Sequence, residues 1–197
     1  MNYKELFQRL FMLLSNPKKA WVEISAESPR RDVMSGFVYP LIALGGLVLL
    51  VDKLVHKGLE RLTFHDAMMD VCGYCIAFFG GFFLAARLLD VLRQKMLHHE
   101  ADMVGSQLFV GYAMGMTFIA EMLSVAFPQF VVLFNMVFIG YTLYIVWEGC
   151  SVIFTMPENK SSKFDTQLAF SVLTTLAVVL SPIIIRTLFN TLSNILG

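Results

Sequence analysis

The chain has 197 residues, 57% of them hydrophobic and 15% charged, with a mean hydropathy of +0.68. Fifteen basic and fifteen acidic residues leave a formal net charge of zero, which excludes a bulk electrostatic case for nucleic acid. So apolar a composition exceeds what a water-soluble core and surface average, and the whole chain reads as one membrane domain.

Residues 1–32 read as a cytoplasmic amphipathic arm. Tyr3, Leu6, Phe7, Leu10, Phe11 and Leu14 recur at helical spacing, with Lys4, Glu5, Gln8 and Arg9 opposite them. This pattern predicts a helix lying in the headgroup plane, with Phe7 and Phe11 sunk into the acyl boundary. The charges interrupt the apolar positions and no small-residue cleavage site follows, so the arm is not read as a cleaved signal peptide. Ser15-Asn16-Pro17 ends the first helix. Asn16 then caps a second short helix whose first residue is Pro17, with Trp21, Lys18 and Lys19 as interfacial anchors. The same two helices could instead pack against the ends of the spans.

A bilayer core of about 30 Å takes about 20 apolar residues per helix, and five runs approach or exceed that length. They cover 33–51, 67–89, 104–127, 130–153 and 168–186. The fold expected is therefore an all-α polytopic membrane protein, with five transmembrane helices in a domain at 33–190 and a short tail at 191–197. Lys and Arg fall eleven to four in favour of the side holding the N-terminal arm, the 90–103 loop and the loop before the fifth span. That asymmetry predicts a cytoplasmic N-terminus and a C-terminus outside.

Ionisable residues inside spans are the first functional suspects, because each costs about 2.5–3.5 kcal/mol at a helix centre. The proposed topology brings Arg87 and Glu148 toward one face and Glu121 and Arg186 toward the other, predicting two ion pairs at two depths. Gly111 and Gly115 form a GxxxG in the third span, and Gly45-Gly46 and Gly80-Gly81 supply further bare patches for close helix approach. Pro40 and Pro182 are expected to bend their helices. Tyr141, Tyr144, Trp147 and Glu148 share roughly one helical side, which is expected to face protein rather than lipid.

Cys72 and Cys75 form a CxxC, preceded by a possible helix cap at Thr63-Phe64-His65-Asp66. A helix start lowers a thiol pKa, so a membrane thiol oxidoreductase is chemically coherent. The pair lies beyond the first turn and lacks a shuttling partner, since Cys150 stands alone, so the thiols read as small hydrophobes. His65, Asp66 and Asp70, and separately His98, His99, Glu100 and Asp102, cluster without a recognisable metal-ligand set. No phosphate loop, nucleophile elbow or zinc-protease motif occurs. No catalytic residue, metal or cofactor is assigned.

Leu6-Phe7-Gln8-Arg9-Leu10, then Leu14-Ser15-Asn16-Pro17-Lys18-Lys19-Ala20-Trp21, then five spans is an order that resembles the bacterial branch of the Yip family, named for Ypt/Rab-interacting proteins. Gly140-Tyr141-Thr142-Leu143-Tyr144-Ile145-Val146-Trp147-Glu148-Gly149 and Ser181-Pro182 carry the same resemblance, which extends over roughly residues 6 to 190. It implies a five-helix membrane domain with a cytoplasmic N-terminus, in a bacterial cytoplasmic membrane. The Asp-Leu-Tyr-Gly-Pro motif that marks eukaryotic members is absent, so Rab binding is not implied. The leading functional reading is a non-enzymatic protein organising lipids or partner proteins, acting on the lipid bilayer with a membrane-protein partner or as a homo-oligomer. A second reading is a small transporter or permease with Glu121 and Glu148 in a polar path. The thiol oxidoreductase is the third.

Overall fold

A computed structural model describes residues 3–26, 32–57, 61–154 and 160–196, and among them every regular element is helical. In chain order these are α1 (Tyr3–Ser15), α2 (Pro17–Ala26), α3 (Tyr39–Lys57), α4 (Arg61–Leu97), α5 (Met103–Ala113), α6 (Gly115–Ala126), α7 (Val131–Ile153) and α8 (Lys160–Leu196). Five helical stretches are long and apolar enough to cross a bilayer: Met34–Val55, Phe64–Leu97, Met103–Ala126, Pro128–Ile153 and Lys163–Leu192. The expected five-span, all-α fold is the one found.

Several boundaries differ from the sequence reading. At 37 residues each, α4 and α8 would be about 55 Å long, far more than a bilayer core needs. Arg93 and Lys95, read as loop, thus belong to the last turns of α4, and most of the segment read as a 191–197 tail continues α8 to Leu196. Arg30 and Arg31, counted in the charge asymmetry, lie outside the described residues.

Two local irregularities have chemical causes. A π-helical segment, Met34–Val38, leads into α3 just before Pro40, which has no N–H to offer and whose ring crowds the carbonyl four residues back. The third span breaks at Met114 into α5 and α6, and there the Thr117 hydroxyl donates to the Met114 carbonyl at 2.8 Å. A hydroxyl sharing a ladder carbonyl is a known source of helix bending.

Lipid gives helices no hydrophobic reason to associate, so close packing and internal hydrogen bonds must hold the bundle. The antiparallel pair α4 and α8 shows how. A Cβ added at Gly81 would stand 2.7 Å from the Pro182 nitrogen, one at Gly80 3.0 Å from Ile185, and one at Gly73 3.2 Å from Phe189. The buried side of α8 carries Gln167, Ser171, Thr174, Thr175 and Ser181, while Leu168, Val172, Leu173, Leu176, Leu180 and Ile183 are exposed. The buried side thus mixes these polar groups with Phe170, Ala177 and Val178, while the exposed side is apolar, as a lipid-facing surface requires.

The arm is not a separate unit. Leu6, Leu10 and Leu13 of α1 and Ala20, Trp21 and Ile24 of α2 are buried in the same core as Phe37, Phe82, Phe109 and Phe118 of the membrane domain. Of the two placements weighed for the arm, packing on the spans holds for this leucine side.

Candidate membrane-interface site

Asn16 caps α2 as its residue type predicts, its Oδ1 accepting from the Lys19 N–H at 3.1 Å. Capping fixes the turn between α1 and α2 and so aims Trp21 at the bundle. Trp21 is fully buried, which corrects its assignment as an interfacial anchor. Its indole N–H donates to the Ile145 carbonyl at 2.9 Å, and its ring stacks on Phe109 with centroids 4.6 Å apart. Gly149 makes the room, since a Cβ there would lie 2.6 Å from the indole. An indole so enclosed needs its N–H satisfied, and the carbonyl of a neighbouring helix supplies the acceptor.

Three further contacts hold α1. Arg9 donates to the Tyr112 hydroxyl at 2.7 Å, the Tyr141 hydroxyl donates to the Leu14 carbonyl, and a Cβ at Gly115 would meet Phe37 and Leu10 at 3.2 and 3.3 Å. Gly111 lies against Val33 and Val38 in the same way. The GxxxG face therefore receives the arm and the segment before α3.

The six-residue stripe of α1 divides. Leu6 and Leu10 turn inward with Leu13, whereas Tyr3, Phe7, Phe11 and Leu14 are exposed, Phe11 at 70%. At 100° per residue the exposed set is centred about 90° round the helix from the buried leucines. The remaining arc carries Lys4, Glu5, Gln8, Arg9, Met12 and Ser15. Thus α1 has three faces: one against the bundle, one aromatic, one mostly polar. Lys18 and Lys19 are exposed on α2.

A buried polar cluster at the same end escaped the sequence reading. Asp90 is 1% exposed and accepts from Gln94 Nε2 at 3.0 Å, the Asp102 backbone N–H at 3.0 Å and Arg87 Nη1 at 3.5 Å. Arg93 donates to the Asp102 carbonyl at 3.0 Å and the Ser106 hydroxyl at 3.2 Å, and lies over the Phe154 ring at 5.0 Å. Asp102 in turn caps α5, accepting from the Gly105 N–H at 2.8 Å. The end of α4, the start of α5 and the end of α7 are thereby tied together. The signals were present: Asp90, Arg93 and Gln94 lie three and four residues apart, and Asp102 precedes an apolar run by helix-cap spacing.

Of the two predicted ion pairs, one forms. Arg186 Nη1 stands 3.3 Å from Glu121 Oε1. Arg87 bonds Asp90 on its own helix and, among the described residues, makes no pair with Glu148, which corrects that assignment. The correction has a steric basis, because Asp90 is one turn away on the same helix. Lys53 pairs with Asp70 at 2.6 Å, a bond the sequence reading did not anticipate.

The expected protein-facing side of α7 is also corrected in part. Tyr141 meets α1 and Trp147 packs edge-on to Phe164 at 5.7 Å, but Tyr144 is exposed. Glu121 and Glu148 sit toward opposite ends of the bundle. Phe78, Phe109 and Phe118 belong to the buried apolar core of the bundle. Cys72 and Cys75 are free thiols, exposed and half-buried respectively, about three turns inside α4 rather than at its start.

The fold and these contacts define a five-span helical membrane protein whose N-terminal helices are folded onto the bundle. The Yip1 domain family model matches residues 11–185, nearly the whole chain, and the protein belongs to that family. No curated protein and no solved structure gives a significant match.

Proposed function

We propose that the protein is a non-enzymatic organiser of the membrane, acting through α1 on the cytoplasmic leaflet of a bacterial cytoplasmic membrane. The observation that carries this reading is the division of α1 into a leucine face locked on the bundle and an aromatic face left exposed. A free amphipathic helix can leave the surface, whereas this one is held by Trp21, Arg9 and Tyr141. Its aromatic face therefore sits at a fixed depth, widening the headgroup region of one leaflet around each molecule. Lys4, Lys18 and Lys19 supply charges for lipid phosphates, each worth about 1 kcal/mol near an anionic surface. A membrane-protein partner or a second copy would be concentrated where such deformations overlap.

Reconstitution tests this. Wild-type protein, titrated into liposomes containing anionic lipid, is expected to reduce vesicle diameter as its density rises, read by electron cryomicroscopy. The variant F7S/F11S, which leaves Leu6, Leu10, Leu13 and Trp21 in place, is expected to insert equally well and leave diameters unchanged. Equal remodelling by both proteins would overturn the reading.

A further inference from the structure

A second lipid-directed feature lies at the end of the bundle away from the arm and owes nothing to it. Near the arm, α7 and α8 are joined: Gln167 donates to the Trp147 carbonyl at 3.2 Å and Phe164 meets the Trp147 ring. Toward the other end a cavity of about 80 Å³ opens between them, bordered by Phe138, Ile139, Val179 and Ile183 and floored by Thr117 and Glu121 of α6. Ile139 and Ile183 are exposed, so the cavity opens sideways toward the acyl region.

The polar groups of this groove are unequal. Thr117 donates to the Met114 carbonyl at 2.8 Å and one Asn135 N–H to the Val131 carbonyl at 2.9 Å, so the Thr117 proton and one amide N–H are used within their own helices. The charged groups that remain for a ligand are the Glu121–Arg186 pair. Its side chains are 31% and 46% exposed, and one of the five guanidinium N–H groups is used at 3.3 Å. A carboxylate beside a guanidinium, above an apolar cleft at the edge of a bilayer, complements a zwitterion with a hydrocarbon tail.

We propose that this groove is a binding site for one phosphatidylethanolamine molecule in the leaflet opposite the arm. The phosphate would take the free N–H groups of Arg186, the primary ammonium would donate to Glu121, and one acyl chain would lie between Ile139 and Ile183. Ethanolamine is favoured over choline because a trimethylammonium has no N–H to give the carboxylate. It is favoured over glycerol because an anionic lipid sets its phosphate beside the Glu121 carboxylate with no ammonium of its own to offset it.

Native mass spectrometry of the full chain in detergent, with phosphatidylethanolamine, phosphatidylcholine and phosphatidylglycerol of identical acyl chains, tests the site. One ethanolamine lipid is expected to be retained about tenfold better than the choline lipid, the value of one charge-assisted hydrogen bond. E121Q is expected to abolish that preference. I183W, a change on the lipid-facing surface that leaves both charges intact, is expected to lose retention by filling the cleft. Equal retention of the three lipids, preference for another headgroup, a preference surviving E121Q, or undiminished retention in I183W would each overturn the proposal.

Discussion

Trp21 shows how much one side chain decides. Its residue type and its neighbours Lys18 and Lys19 fit an interfacial anchor, yet it is fully buried. The difference comes from Gly149, 128 positions later, whose missing Cβ admits the indole, and from the Ile145 carbonyl that accepts its N–H at 2.9 Å. No local pattern encodes a partner so distant in sequence. Replacing Trp21 by Ala removes the stacked ring, the hydrogen bond and the filling of the Gly149 notch. Truncations of buried aromatics cost about 3–5 kcal/mol. W21A is therefore expected to lower the thermal midpoint in detergent and to expose the α1–α2 turn to protease, while W21F, which keeps most of the volume, shows a smaller drop. A W21A protein as stable and as resistant as wild type would mean that the arm does not depend on this contact.

Glycines separate helix faces that hydropathy alone leaves alike. A Cβ at Gly81 would press on the Pro182 backbone at 2.7–2.8 Å, whereas one at Gly140, on the exposed side of α7, would meet nothing within 4 Å. Backbone atoms cannot swing aside, so G81A should force α4 and α8 apart at a cost of about 1–3 kcal/mol. G140A should be neutral or slightly stabilising, since Ala holds a helix better than Gly. Unfolding of both variants in mixed micelles distinguishes them, and an equal response would refute the close approach of α4 to α8. The existence and approximate place of the five spans were legible because each hydrophobic run reports its own length. The capped start of α2 and the Glu121–Arg186 pair were legible for the same kind of reason, being written in short spacings and charge positions. The two faces of α1 were not, because Leu6 and Phe7 are equally apolar and only the bundle distinguishes them. The Asp90–Arg93–Asp102 cluster was hidden by the assignment of Arg93 to a loop, which the continuation of α4 to Leu97 removes.

For the whole molecule, the charges themselves delimit a slab. From Asp70, paired with Lys53, to Arg87 on α4 is about 26 Å at 1.5 Å per residue, and from Asp165 to Arg186 on α8 about 32 Å. Both are close to the about 30 Å of a bilayer core. The arm, the Asp90 cluster and the start of α8 fall at one boundary, and Phe127, Arg186 and the Lys53–Asp70 pair at the other. The proposed cytoplasmic placement of the arm rests on which boundary holds more Lys and Arg near the span ends, and that is the arm's. Single cysteines placed in a background lacking Cys72, Cys75 and Cys150 test the assignment in intact cells with an impermeant maleimide. S25C and E100C, both at the arm's boundary, are expected to react only after the membrane is opened, and Q129C, in the α6–α7 connection, before it. The reverse pattern would move the aromatic face of α1 to the outer leaflet and turn the ethanolamine groove inward. Labelling of all three from one side would contradict the span count itself, because the third span alone separates Glu100 from Gln129.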